Sequence, residues 1–464
     1  MEYEVLVVGG GIGGLTVASL LSARGMNVCL FERQSQVGGC VANFEFQGYE
    51  FEPTSGLYSG WQPGGIHERI FSELPVQSPE VRPLRPAYVV RLPDQVDVEI
   101  GAPREEFEEN LRAAFPECGD AAVVFYREME DLARDTSDRF ESATVAAHLT
   151  NTSQRFQHCI DAQLETFDLC ASDRCSLISG ALTLTAPQRG MWAIKGGAQA
   201  LANRLAESIR VSGGSLRLNS PVLRLAYASD GSPSGVDLLS GERVTATRAI
   251  ISNLTIWDTY GRLVGLNHTP PAISAQLKLM EGRGAYMLFV GMDQSAGARL
   301  TNERFILVDA NKQDAECEDE VGQLVFNAAP SWDPRAPEGQ RAVTVWTPVD
   351  VNDWFAFHQD EAEHDEQDQA MIERLWPRLH AMMPELGDCI EVIESATPRT
   401  FHENTRRRLG MVGGLCSTTA ARRESQAGRT VFPNLFLVGD TVSSGDQISD
   451  VCRSALKLAD AISL

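Results

Sequence analysis

The stretch "VLVVGGGIGGLTVASLLSARGMNVCLFERQSQVGGC", residues 5–40, decides how the rest of the chain is read. It opens with four apolar residues, Val5, Leu6, Val7 and Val8, as in a strand buried on both faces. Gly9, Gly11 and Gly14 then match G-x-G-x-x-G, with Gly13 inside the motif. Residues 15–24 carry apolar side chains at helical spacing, and Gly25 stops that helix. Residues 27–31 read as a second strand, which Glu32 closes eighteen residues after Gly14. In a dinucleotide site such glycines allow a tight turn, a close approach of backbone to pyrophosphate, and close packing of helix on strand. The helix N-terminus offers unpaired N–H groups and a positive dipole end to the phosphates. An acidic residue ending the second strand accepts hydrogen bonds from a ribose. A lone G-x-G-x-x-G means little; the strand before it, the helix after it and the carboxylate at the right distance supply the context. The competing reading is a glycine-rich turn in an α/β protein that holds no ligand.

The motif does not separate NAD from FAD. Gly38 and Gly39, just after the acidic strand end, bear on that choice. With this Gly-Gly pair the chain resembles the FAD-dependent amine-oxidase-like superfamily, and within it the phytoene desaturase, carotenoid isomerase and retinol saturase branch. "GGC" at residues 38–40 is similar to the saturase and isomerase side, where many relatives carry arginine in place of Cys40. The resemblance implies FAD as cofactor, held near this end of the chain by Gly9, Gly11, Gly13, Gly14, Glu32, Arg33, Gly38, Gly39 and Cys40.

Two later segments continue it. "WAIKGGAQALANRLAESIRVSGGSLRLNSPVLRLAYA" resembles the family's P-x-G-G helix, with Ile194 where proline is common, and the strand whose valine backbone, here Val222, meets the adenine. For Val222 alone, core packing is the simpler reading. "ATPRTFHENTRRRLGMVGG" resembles the T-P-x-T segment, and "NLFLVGDTVSSGDQISDVCRSALKLADAI" the closing strand and helix. There the family's aspartate, Asp440 after Gly439, meets the ribityl or pyrophosphate region. The terminal helix then aims its N-terminus at the flavin N1–C2=O edge, beside Ile448. Three positions depart from the pattern. Thr54 stands where a glycine is usual, Gly445-Asp446-Gln447 replaces G-x-G, and Asp450 replaces a small residue. A buried unpaired carboxylate is costly, so Asp450 either joins an N-cap network or faces a polar or cationic substrate group.

The implied fold is α/β: a Rossmann-type FAD-binding domain assembled from residues 1–59, 187–253 and 391–464. Residues 60–186 and 254–390 form a substrate-binding, covering domain of mixed sheet and helices. At 464 residues the chain is long enough for two or three cores. Helices are expected at 104–115 and 121–142, and strands in "GAYMLFVGMD", "GQLVFNAAP" and "RAVTVWTPV". The acidic stretches near Cys317 and His364 read as solvated surface. Trp354, Phe355 and Phe357 read as core or ordinary surface, against contact with a lipophilic substrate or membrane.

A net charge of −23 argues against nucleic acid as partner and against electrostatic binding to anionic lipid. It leaves shallow, peripheral membrane contact open. No apolar run is long enough for a transmembrane helix, and "MEYE" is too acidic to begin a signal peptide. The ten cysteines lack C-x-x-C pairs, so a reducing, cytoplasmic setting is expected, with Cys170 and Cys175 as buried thiols. The eight histidines show no metal-ligand spacing.

The leading expectation is an FAD-dependent oxidoreductase that desaturates or saturates a carbon–carbon bond of a lipophilic, isoprenoid- or carotenoid-like substrate, by hydride transfer at flavin N5. No protein nucleophile is evident. No catalytic side chain is assigned, with Asp450 the one candidate, and the electron partner is left open. The alternatives are a non-redox double-bond isomerase using reduced FAD, an amine oxidase, and a flavin-holding assembly protein without turnover.

Overall fold

A computed structural model describes residues 1–134, 143–308, 323–355, 361–415, 428–443 and 447–464. The N-terminal stretch forms a βαβ unit of β1 (Glu2–Val8), α1 (Ile12–Ala23) and β2 (Val28–Phe31). The strands pair in parallel, with Val5 opposite Val28 and Val8 opposite Phe31. Residues 5–8 and all of β2 are buried, as the unbroken apolar runs require. Helix α1 is buried around its whole circumference from Ile12 to Ser22. It lies between the sheet and two further helices, α2 (Gly197–Val211) and the C-terminal helix Ile448–Ser463, in one core with Leu15, Leu201, Ala455 and Ala459.

The first sheet runs in the order Val222–Tyr227, Pro233–Leu238, β3 (Arg243–Ser252), β1, β2, Ser215–Arg217. A seventh strand, β4 (Leu435–Leu437), lies parallel to the far end of β3, with Ile250 opposite Leu435. The carboxyl ends of β1, β2, β3 and β4 thus come to one edge, where open α/β sheets bind ligands.

The second sheet also has seven strands, in the order Ile390–Ala396, Gly284–Asp293, Gln340–Val349, Leu324–Ala328, Arg304–Leu307, Tyr88–Arg91, Asp97–Ile100. Gly284–Asp293 pairs on both sides and is buried from Gly284 to Met292, so the expected strand there is a core strand. Ile390–Ala396 belongs to this sheet, and the chain returns to the first sheet only after it. Helices Arg104–Ala114, Gly119–Arg134, Gln154–Phe167 and Leu177–Arg189 build a separate core around Phe107, Phe125 and Phe156. The expected 121–142 helix starts at Gly119; its positions 135–142 lie outside the described residues, as do the acidic stretch near Cys317 and Phe357. The acidic stretch near His364 opens the helix Glu361–Met382, mostly exposed over its first turns. Trp354 is buried and stacks on Tyr286 with ring centroids 5.4 Å apart, which makes it core.

Candidate functional site: a glycine cradle at the sheet edge

The glycine loop between β1 and α1 is shaped by contacts that allow no side chains. Gly9 holds φ +102°, a left-handed value that turns the chain from strand to helix. A Cβ on Gly14 would run into the Gly9 carbonyl, so this glycine sets how closely α1 lies on β1. The space beside Gly11 and Gly13 is taken by Asn253, one residue beyond β3. A Cβ on Gly11 would sit 2.6 Å from Asn253 Nδ2, and one on Gly13 2.7 Å from Asn253 Oδ1. Gly439, after β4, faces the same side chain at 3.2 Å. Three strand ends therefore converge on one asparagine amide. The N-cap of α1 is Gly11, with no side-chain cap. Gly13 and Gly14 behind it are buried. A buried helix start without a capping side chain leaves donors aimed at the edge, and an anionic group is what satisfies them.

Glu32 ends β2 against this loop. Its Oε2 accepts from the Gly10 amide at 2.7 Å and its Oε1 from the Gln34 amide at 2.7 Å. Each oxygen keeps a lone pair for a further donor. Arg33 turns away: its guanidinium donates to the Glu403 and Asn404 carbonyls at 3.2 and 2.6 Å. These end the helix α3 (Pro398–Thr405), which begins with a capping box between Thr397 and Thr400 in the T-P-x-T segment. Gly38 donates its amide to the Gly10 carbonyl at 2.9 Å, and Gly39 lies 3.2 Å from Gly11 measured from an added Cβ, so the Gly-Gly pair packs directly on the glycine loop. Val222 starts its strand opposite Leu238, two residues after Ser220 donates to the Glu32 carbonyl at 2.8 Å. It sits beside the end of β2 and also packs in the core beneath.

Asp440 does not stand alone. It pairs with Arg407, whose guanidinium reaches Oδ2 at 2.8 Å and Oδ1 at 3.3 Å and also donates to the Met411 and Gly413 carbonyls. Burial disfavours the Arg407 charge, but Asp440, Cys40 and Asp258 together outweigh it and hold the pKa above its usual value. Cys40 lies in the same field. Desolvation raises its thiol pKa, with Arg407 opposing.

The C-terminal helix, α4 (Ile448–Ser463), points its N-terminus at the same region. Its N-cap is Gln447, Ile448 is the first helical residue, and Asp450 is the third. Burial raises the Asp450 pKa, while Arg453, the Gln447 amide and Arg189 oppose it. That amide is the N-cap N–H which an acidic third residue ordinarily accepts from. Gly445 and Asp446 lie outside the described residues. Ser59 joins the helix start by hydrogen bonds to Gln447 and to the Ser449 hydroxyl. Below it, His67 is 1% exposed and stacks on Trp61 at 4.2 Å.

The loop carrying Thr54 and Gly56 is gripped from the second sheet. Arg335 reaches Glu52 at 2.8 Å, Asp333 at 2.7 Å and the Ile194 carbonyl at 3.1 Å, all buried. Arg304 donates to the Gly56 carbonyl at 3.0 Å, Asn327 to the Thr54 carbonyl at 3.3 Å, and the Thr344 hydroxyl to the Glu52 carbonyl at 2.9 Å. Thr54 itself donates to Glu52 at 2.8 Å. The usual glycine is thus replaced by a residue that helps order the buried carboxylate.

Sequence reasoning passed over Gly10, Asn253, Arg407, Arg335 and Asn327. Asn253 ends the strand-like stretch "GVDLLSGERVTATRAIISN", and Arg407 lies within three consecutive arginines of an acidic chain, so each left a trace. Arg335 and Asn327 left none.

The family model for flavin containing amine oxidoreductase matches residues 12–463. Among curated proteins, an all-trans-retinol 13,14-reductase of Danio rerio is 24% identical, with 94% of this chain and 82% of that protein covered. A chloroplastic prolycopene isomerase of an Oncidium hybrid cultivar is 23% identical over 99% of this chain and 84% of its own. A 4,4'-diapophytoene desaturase of Methylomonas sp is 24% identical over 99% and 95%. Among solved structures, an oxidoreductase from Methanosarcina mazei superposes with a TM-score of 0.71 at 17% identity, covering 99% of this chain and 100% of its own. This likeness shows the fold. With nearly its whole length matched by the family model, the chain belongs to the flavin containing amine oxidoreductases, FAD-dependent oxidoreductases built on this fold.

Proposed function

We infer that the protein acts on a carbon–carbon bond of a lipophilic, isoprenoid- or carotenoid-like substrate. The observation that carries the cofactor half of this reading is the buried, uncapped start of α1 inside a glycine cradle. In this reading the α1 amides and Asn253 hold the pyrophosphate, Glu32 takes the ribose hydroxyls, and the backbone at Val222 meets the adenine. Asp440, fixed by Arg407, would meet the ribityl or pyrophosphate region. Gly38, Gly39 and Cys40 would let the backbone pass close to the cofactor, and the first turn of α4 at Ile448 would offer its positive end to the flavin edge. When bound, FAD supplies hydride acceptance or donation at N5. The chain's part is to position the reacting bond and exclude water, through the covering residues 60–186 and 254–390. The substrate half rests on the relatives, a retinol reductase, a prolycopene isomerase and a diapophytoene desaturase. Among the described residues no helix is long and apolar enough to cross a membrane, so a membrane-borne substrate would be met at the surface.

The test is anaerobic incubation of purified protein with isoprenoid substrates while flavin absorbance is followed. A desaturase bleaches the oxidised band, which returns with an acceptor. A saturase oxidises flavin reduced beforehand. An isomerase, the reading favoured by the prolycopene relative, turns over without consuming an acceptor. Conversion at unchanged rate after flavin removal would sink all three.

A further inference from the structure

Outside the cradle lies a surface cavity of about 490 Å³, between the turn at Trp257–Asp258, the segment Thr259–Gly265 that follows, and the end of α3. Arg262, Arg406 and Arg408 line it with His402, and none of the cradle residues does. Three arginines line this hollow in a chain with 63 acidic and 40 basic residues. Elsewhere on this acidic surface arginines lie against carboxylates, as Arg127 does with Glu108, Arg217 with Glu242 and Arg24 with Glu73 and Asp460. The side chains of Arg406 and Arg408 have no hydrogen-bond or ion-pair partner among the described residues.

The negative groups nearby are already engaged. Asp258 accepts from the Thr255 hydroxyl at 2.5 Å and the Arg408 amide at 3.1 Å, with Arg262 at 3.8 Å. The carbonyls ending α3 take Arg33, and the Arg406 carbonyl takes Arg262 at 3.2 Å. His402 Nδ1 donates to the Arg407 carbonyl at 2.8 Å, which fixes its ring in the wall. Trp257 is fixed likewise, through Nε1 to the Leu277 carbonyl at 2.8 Å. Arg406 is the C-cap of α3 at φ +58°, where glycine or asparagine is the easy residue. Leu409 holds a second left-handed turn at φ +51°. The backbone thus accepts strain where it presents the charges.

We propose that this hollow binds the phosphate or diphosphate group of a second ligand, distinct from the flavin cofactor. Planar guanidinium groups match phosphate oxygens two at a time, and the cavity has room for more than the phosphate alone. The group could be carried by a phospholipid headgroup or by a free phosphorylated molecule, and the two are separable by experiment.

The experiment uses FAD-loaded protein at low salt. Inorganic pyrophosphate is titrated by calorimetry, and vesicles of phosphatidylglycerol or phosphatidylcholine are tested by co-sedimentation. The variants are Arg406→Asn, whose backbone suits the left-handed cap, Arg408→Gln, and Arg224→Gln on a distant strand as control. Saturable pyrophosphate binding, at least tenfold weaker in Arg406→Asn and Arg408→Gln and unchanged in the control, supports a free phosphorylated ligand. Binding to phosphatidylglycerol alone, lost in the same two variants, supports a headgroup. Equal melting temperature and FAD absorbance across the variants show that the loss is local. The proposal is overturned if neither probe binds, if the two variants bind like wild type, or if pyrophosphate binds only protein stripped of FAD.

Discussion

Glu32 is a carboxylate with one task in the fold and one proposed for the cofactor. Sequence context marks it as the ribose acceptor, and the structure adds that it ties the glycine loop to β2 through the Gly10 and Gln34 amides. Hydrogen bonds to a charged group contribute about 1.5–3 kcal/mol, so Glu32→Ala should weaken FAD roughly tenfold to a hundredfold. Flavin released on dialysis measures this, and wild-type retention would show that the carboxylate is not a cofactor ligand. His67 offers a second residue-scale test. Among the described residues neither ring nitrogen meets a partner at hydrogen-bond geometry, and burial pushes the pKa from 6.5 down to about 3, with the Ser59 backbone opposing. The unfolded chain therefore binds a proton below pH 6.5 that the folded chain refuses. Stability from this site is full above pH 6.5 and falls as pH drops toward 3. His67→Phe, which keeps the stack on Trp61, should remove roughly 2 kcal/mol of the stability lost between pH 7 and 5. Denaturant melts at the two pH values measure it; parallel losses in both proteins would refute it.

Helix α1 shows what a local pattern can reveal. Its start, its burial and the role of Gly14 follow from spacing within thirty residues, because strand, turn and helix are neighbours in the chain. Gly14→Ala should overpack the contact with the Gly9 carbonyl, at a cost of about 1–3 kcal/mol. A lowered melting temperature together with lost flavin would register it, whereas a neutral substitution would mean that the helix can move off the strand. The same reasoning could not reach Arg407, since its meaning lies in Asp440, 33 residues on. Nor could it reach Arg335, whose partner Glu52 is 283 residues away. A carboxylate or arginine read alone is most simply surface, and only tertiary contact distinguishes these from their exposed neighbours. Three strands of the second sheet were legible but not its order, because its seven members come from residues 88 to 396 and three of its six pairings join strands that are not neighbours in the chain.

At the scale of the molecule, the buried cluster of Glu52, Asp333 and Arg335 lies between the two sheets. Removing one partner from a buried ion pair costs about 3–5 kcal/mol, because the remaining charge stays desolvated. Arg335→Met should therefore destabilise the whole chain in one cooperative transition, whereas a swap of Arg335, Glu52 and Asp333 together for apolar residues should recover most of the loss. Two separated unfolding transitions in Arg335→Met would instead mean that the halves are only loosely joined.

That clamp also sets a rule for recombination. The loop at Glu52–Gly56 belongs by sequence to the N-terminal piece, yet its hydrogen bonds run to Arg304, Asn327, Arg335 and Thr344. A chimera that takes its second sheet from a relative inherits foreign partners for this loop. Crossovers that transplant residues 52–56 along with that sheet and its Arg335 loop keep the carboxylate and its arginine from one parent. Libraries cut at the apparent domain borders would discard many otherwise sound combinations for want of a single matched salt bridge.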